Sequence, residues 1–196
     1  TTAPEYVVFE GPGMDAFADS PEGGCTFVVL PFMYYETYGD DSLIRKYYNG
    51  MRRYIDYMTT RANDGIVSFG LGDWYDYGDF RAGFSRNTPV PLVATAHYYM
   101  VVRYLVEAAR MLDNRYDVAY YTHLGEEINK AFHREFYHKD TRQYGTGSQC
   151  SNALPLFLGM VPAEDKQAVL DNLVADIKRH GNRLTTGDVG NRYLFQ

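Results

Sequence analysis

The sequence predicts an all-α protein whose helical hairpins make up about half of a closed toroid. Three observations carry this. Apolar residues recur at steps of three and four over long windows, the spacing of one helix face. The helical windows come in pairs, a nearly all-apolar one followed by an amphipathic, charged one. That order suits stacked hairpins whose first helix is buried and whose second faces solvent. No run of alternating residues is long enough for a sheet, and only residues 6–9 have the character of a brief strand.

The first pair is Thr26–Tyr38, apolar and carrying Pro31, then Ser42–Arg61, opened by Asp40, Asp41 and Ser42. Pro31 is expected to kink its helix or restart it. The stripe of the second helix reads Ile44, Tyr47, Met51, Tyr54, Ile55, Met58. In the second pair, residues 89–112 follow Thr88 as N-cap with Pro89 at the first helical position. Their stripe is Ala94, Tyr98, Val101, Leu105, Ala108, Leu112. Residues 115–137 follow, with Tyr121, Leu124, Ile128, Ala131, Phe132 and Phe136. The third pair is 151–158, carrying Pro155, and 162–180, with Leu170, Leu173, Val174 and Ile177, stopped by Gly181. Both proline-bearing helices are expected to be buried on more than one side. A fourth pair opens near Asp188. Three and a half hairpins are about half a ring of six, so residues 1–196 are expected to form one incomplete domain, with no second domain and both ends cut from a longer chain.

Composition narrows the partners. Nineteen basic residues against 25 acidic ones give a formal charge of −6, without the positive field that a phosphate backbone needs, so no nucleic acid is expected. No apolar run approaches a membrane span. Cys25 and Cys150 lie in no metal or redox spacing and read as buried free thiols. Nineteen tyrosines suit half-buried surfaces and cavities lined for polar ligands.

Loops leading into the inner helices carry the chemistry on such a scaffold. Four stand out: residues 19–24, 64–87, 144–149 and 185–188. The second is about two dozen residues long without helical period, holds the only tryptophan, and alternates carboxylates with rings: Asp73, Trp74, Tyr75, Asp76, Tyr77, Asp79. That combination suits a sugar, because a carboxylate accepts hydrogen bonds from adjacent hydroxyls while a ring packs on the C–H face. Two other readings stay open at this point: Asp73 as a turn cap with Trp74 as core filler, and Asp73, Asp76 and Asp79 as oxygen ligands of a hard cation, although their spacing is not that of an EF-hand.

Asp19 and Glu22 read equally as a glycosidase carboxylate pair or as helix-capping groups. Ser148 stands in no nucleophile motif, and Gly145 and Gly147 are expected to give a tight backbone path beneath a ligand. The histidines at 97, 123, 133, 138 and 180 show no metal spacing, and His97 reads as structural. Arg52 and Arg53 read as a solvated helix face. No metal or cofactor is called for.

Gly72-Asp73-Trp74-Tyr75-Asp76, Asn87-Thr88-Pro89-Val90, Tyr144-Gly145-Thr146-Gly147-Ser148-Gln149, Asn152-Ala153-Leu154-Pro155 and Leu184-Thr185-Thr186-Gly187-Asp188-Val189-Gly190 together resemble, in order, the catalytic domain of bacterial α-L-rhamnosidases, glycoside hydrolase family 78. Asp19-Ser20-Pro21-Glu22 resembles the segment that opens an inner helix there. The resemblance implies an (α/α)6 barrel that hydrolyses terminal α-L-rhamnosides with inversion, using one carboxylic acid on the leaving oxygen and one carboxylate on a water. It also implies that Asp19, Glu22, Asp73, Trp74, Asp76 and Asp188 bind the sugar.

The family's general-acid Arg-Glu…Gly-Trp…Asp motif and its general-base Trp-Glu motif are absent here, and Gly23 stands where a tryptophan often follows Glu22. The implied catalytic residues therefore lie in the remaining segments of a parent enzyme, and this chain alone is expected to be inactive. A periplasmic or secreted place would suit such an enzyme, though no leader is present to fix the compartment. Fold does not fix substrate, so an (α/α)6 hydrolase of another glycoside, or a non-catalytic sugar-binding or scaffold module, stays open.

Overall fold

The computed structural model describes residues 19–195; the strand expected at 6–9 lies outside them. A one-turn helix α1 (Pro21–Gly24) leads into α2 (Thr26–Tyr38), which pairs with α3 (Ser42–Arg61). The second hairpin is α4 (Val90–Met111) with α5 (Arg115–Phe136), and the third is α6 (Gln149–Phe157) with α7 (Lys166–Arg179). A two-strand ribbon, β1 (Tyr137–His138) against β2 (Gln143–Tyr144), joins α5 to α6. The last helix, α8 (Asp188–Leu194), opens a fourth unit. Among the described residues the expected hairpins are thus present, and in the second and third the first helix is the more buried of the two.

The inner helices α2, α4, α6 and α8 lie side by side in chain order, because each packs on the next. The centre is α4. Leu92, Val93, Ala96, Tyr98, Val101, Val102 and Leu105 are buried over most of its surface, and only Arg103, Glu107 and Arg110 in its second half form a stripe facing solvent. The outer helix α5 buries Tyr121, Ile128, Ala131, Phe132 and Phe136 against it, as their spacing predicts, with Leu124 packed at the edge.

Several details differ from expectation. On α3 the core residue is Tyr48, not Tyr47, since its hydroxyl donates 2.6 Å to buried Asp117 while Tyr47 sits at the surface edge-on to Phe27. Arg52 is not merely solvated, because Nε reaches the same Asp117 at 3.4 Å. Helix α4 begins one residue later than expected, and the Thr88 hydroxyl turns instead to Ser148, 2.7 Å away. On α7 the inward positions are Val169, Leu173 and Asp176, while Leu170 and Val174 are 42% and 39% exposed. The phase is set by Asp176, buried with Arg179 and His180 against it. Helices α2 and α6 run through Pro31 and Pro155 unbroken. Nor is α2 buried on more than one side: Val28, Val29 and Phe32 are covered, but Leu30 and Met33 are 55% and 47% exposed.

Candidate functional site

The four predicted loops meet at one mouth, where the inner helices begin. Residues 62–89 pass between α3 and α4 without helix and touch the other three. Gly72 donates its amide to Oε1 of Glu22 over 2.9 Å, at the entry to α1. The carbonyl of Trp74 accepts from the amide of Asp188 over 2.8 Å, at the start of α8. Thr88 meets Ser148 at the start of α6. Glycine is required where this loop turns: Gly70 and Gly72 hold φ of +130° and +70°, and a Cβ on Gly70 would lie 2.7 Å from the Glu22 carboxylate.

Each predicted residue has a definite place. Asp19 accepts from the Tyr57 hydroxyl and lies 3.5 Å from Arg61, so it caps no helix and is held against α3. Glu22 accepts from the Ser20 hydroxyl as well as from Gly72, and burial raises its pKa to about 7 against those hydrogen bonds. Near neutrality it is therefore a carboxyl that can both give and take a proton. Asp73 is fully buried, and its Oδ1 accepts from the amide of Gly190 over 2.7 Å. Burial raises its pKa, opposed by the backbone groups of Gly187 and Gly190. Asp76 is also fully buried; its Oδ2 accepts from the amides of Arg86 and Asn87, at 2.8 and 2.6 Å.

Trp74 is half-buried, with its ring edge-on to exposed Tyr75 and Phe84, centroids 5.0 and 5.3 Å away. Asp188 is exposed. Asp79 is exposed too, and the described residues contain no group of three or more His, Cys, Asp or Glu side chains arranged for a metal ion.

Glu22 and Asp188 both line a cleft of about 220 Å³, whose apolar side is Leu30, Met33 and Val189. Arg192, His97 and Tyr193 also line it. Arg192 and Tyr193 are not among the residues the sequence singles out, while His97 is structural, as read, bonded to Val93 and Tyr193. A signal existed for Arg192, four residues beyond Asp188 and so on the same helix face. Trp74 is not part of that lining; its ring belongs to the aromatic rim beside it, and its backbone meets α8. Gly145 and Gly147 support no ligand path. Cβ atoms there would strike Leu92 at 2.9 Å and the Gln143 carboxamide at 2.6 Å, so both glycines make room for the protein itself. Ser148 caps α6, accepting from the Ser151 amide at 3.3 Å. Cys25 and Cys150 are both buried, and the Cys25 thiol donates to the carbonyl of Glu22.

A helical-hairpin scaffold with carboxylates and rings gathered where its inner helices begin is the architecture of a six-hairpin glycosidase domain. The family model described as the bacterial alpha-L-rhamnosidase six-hairpin glycosidase domain matches residues 1–196, and the chain belongs to that family. Over 182 residues it is 30% identical to an alpha-L-rhamnosidase of Formosa agariphila, covering 88% of this chain and 19% of that protein. Over 170 residues it is 28% identical to one of Streptomyces avermitilis, covering 86% and 15%. The solved alpha-L-rhamnosidase of Dictyoglumus thermophilum matches with a TM-score of 0.84 at 32% identity, covering 90% of this chain and 20% of that one. The Streptomyces avermitilis enzyme complexed with L-rhamnose matches with a TM-score of 0.79 at 26% identity, covering 88% and 16%. The chain thus spans a fifth or less of the length of these relatives.

Proposed function

We propose that this chain supplies the sugar-gripping part of an inverting α-L-rhamnosidase, as one incomplete (α/α)6 domain completed by further segments of the parent enzyme. The observation that carries this reading is the convergence of Glu22, Trp74 and Asp188 on one mouth, joined by residues 72–74. Asp188 accepts hydrogen bonds from sugar hydroxyls. Glu22, whose pKa is raised to about 7, donates one in its protonated form. The aromatic rim of Trp74, Tyr75 and Phe84 receives the C–H face of the ring. Val189, beside Asp188 on the apolar side of the cleft, suits the methyl group that distinguishes a 6-deoxyhexose. Asp19, Asp73 and Asp76 hold the frame, since each accepts from the protein's own groups.

Inversion needs an acid and a base on opposite faces of the sugar with room for water between them. Neither family motif for those groups occurs in this sequence, so the chain alone does not turn over a rhamnoside. The test is an aryl α-L-rhamnoside assay on both forms. The parent enzyme releases the phenol and NMR shows the β-anomer of rhamnose first, while the 196-residue chain gives no rate above buffer. Trp74→Ala in the parent raises KM by about tenfold or more, the loss of one good ring contact. Turnover by the isolated chain, retention of configuration, or preference for another sugar on a panel of aryl glycosides would each overturn the corresponding part.

A further inference from the structure

Three consecutive residues touch both walls of the cleft. Gly72 holds Glu22 through its amide, and Trp74 receives the amide of Asp188 through its carbonyl. Between them Asp73 sends Oδ1 to the amide of Gly190, 2.7 Å away. Helix α8 needs these partners. It opens on Gly187, which has no side chain to satisfy the free amides of a first turn.

The fit leaves no slack. A Cβ on Gly187 would lie 2.1 Å from the Trp74 carbonyl oxygen, and one on Gly190 would lie 2.7 Å from Oδ2 of Asp73. The loop is braced from behind as well. Asp76 accepts from the amides of Arg86 and Asn87, and the Asn87 side-chain amide reaches the carbonyl of Thr185 at 3.2 Å. The amide of Tyr77 meets the same carbonyl at 3.1 Å.

We infer that Asp73 is a positioning residue: its carboxylate caps α8 from a distant part of the chain and, through residues 72–74, fixes the separation of Glu22 and Asp188 across the cleft. The part that concerns substrate rests on the rhamnoside reading of that cleft; the capping does not. Removal of Oδ1 leaves the Gly190 amide unpaired, loosens the first turn of α8 and so shifts Asp188. Asparagine keeps the Oδ1 acceptor and changes only Oδ2. An Asp73 that touched sugar directly would need that second oxygen.

The test compares D73N and D73A in the enzyme that contains this chain, reading KM for an aryl α-L-rhamnoside and deuterium uptake of peptides spanning 186–192. D73N stays within about threefold of wild type in KM, with unchanged uptake. D73A raises KM by about tenfold or more, because displacements of an ångström at a site cost factors of this size. Its uptake rises in 186–192 while α4 stays protected. Should D73A fail to fold, D73S, which draws the oxygen back from Gly190, is read in the same way. Unchanged exchange or unchanged KM in the truncated variant, or D73N as harmful as D73A, overturns the inference. If the wild-type enzyme turns over no rhamnoside, the functional reading fails and the exchange comparison still decides the capping.

Discussion

The hydroxyl of Tyr193 and Nε2 of His97 lie 2.9 Å apart, a bond that ties α8 to α4 along the cleft. Nδ1 of the same ring is 2.8 Å from the carbonyl oxygen of Val93, which can only accept, so Nδ1 carries the proton and Nε2 takes one from tyrosine. Burial pushes the His97 pKa down to about 4. Glu22, on the same cleft, is pushed the other way, up to about 7 and again chiefly by burial. Burial thus disfavours the charged form of both groups.

Their effects on stability oppose one another. As pH rises from 4.5 toward 7, Glu22 ionises in the unfolded chain but not in the folded one, so stability falls by roughly 3 kcal/mol over the window. As pH falls from 6.5 toward 4, His97 gains a proton only when unfolded, and stability falls by a similar amount, roughly 3 kcal/mol. In the overlap the two slopes cancel. Glu22→Gln therefore gives a melting temperature that rises with pH from 4 to 6.5, and His97→Gln one that falls from 4.5 to 7. Thermal melts across that range check both, and profiles of either variant parallel to wild type would refute the assignment.

Gly187 is required for space and not for backbone freedom, since its φ of −87° is open to any residue. Alanine there would drive a methyl into two backbone carbonyls, those of Trp74 and Asp73, which cannot rotate away. We expect Gly187→Ala to cost about 3 kcal/mol or more, the upper end for overpacking. Gly181→Ala provides the contrast: φ is +67° with nothing within 4 Å, so only conformational strain of about 1 kcal/mol is felt. Urea denaturation of the two variants measures the gap, and equal losses would rule out the steric account.

How far the sequence revealed this arrangement depends on what each pattern consists of. Helices α4 and α5 were legible in phase because their buried faces are made almost wholly of apolar residues. The phase of α7 is obscured because an aspartate occupies its inner face, and hydropathy cannot tell the adjacent Tyr47 and Tyr48 apart. At the site, the loop around Trp74 announced itself by length and by its mixture of acids and rings. The direction of those acids stayed hidden. A carboxylate that accepts backbone amides and one that accepts sugar hydroxyls are the same acceptor in a sequence. The bond between His97 and Tyr193 spans nearly half the chain and leaves no local trace.

Asp76 shows what such an acid does when it faces inward. Its Oδ2 gathers the amides of Arg86 and Asn87 and so closes the loop back on itself. Asp76→Ala strands both amides, a loss of about 2–4 kcal/mol for two charge-assisted bonds, and opens residues 77–86 to limited proteolysis. Asp76→Asn keeps an acceptor and loses less than half as much. Equal denaturation midpoints for the two variants would show that the amides find other partners.

Leu30 and Met33 stand on the face of α2 that lines the cleft, 55% and 47% exposed, while Val29 and Phe32 of the same helix are buried. An inner helix of a six-hairpin barrel is covered on both sides, so the isolated chain presents this wall to water. The expected outcome is concentration-dependent association of the 196-residue chain in sedimentation experiments. Replacing both residues by glutamine shifts the distribution toward monomer and alters the stability of the isolated chain by only about 0.5 kcal/mol, as for surface positions. In the parent enzyme, where further hairpins would cover the same face, the pair of substitutions costs several times as much, about 2–4 kcal/mol. A double variant that associates as strongly as wild type would locate the sticky surface elsewhere, and one that leaves the parent unaffected would mean that nothing in it covers α2.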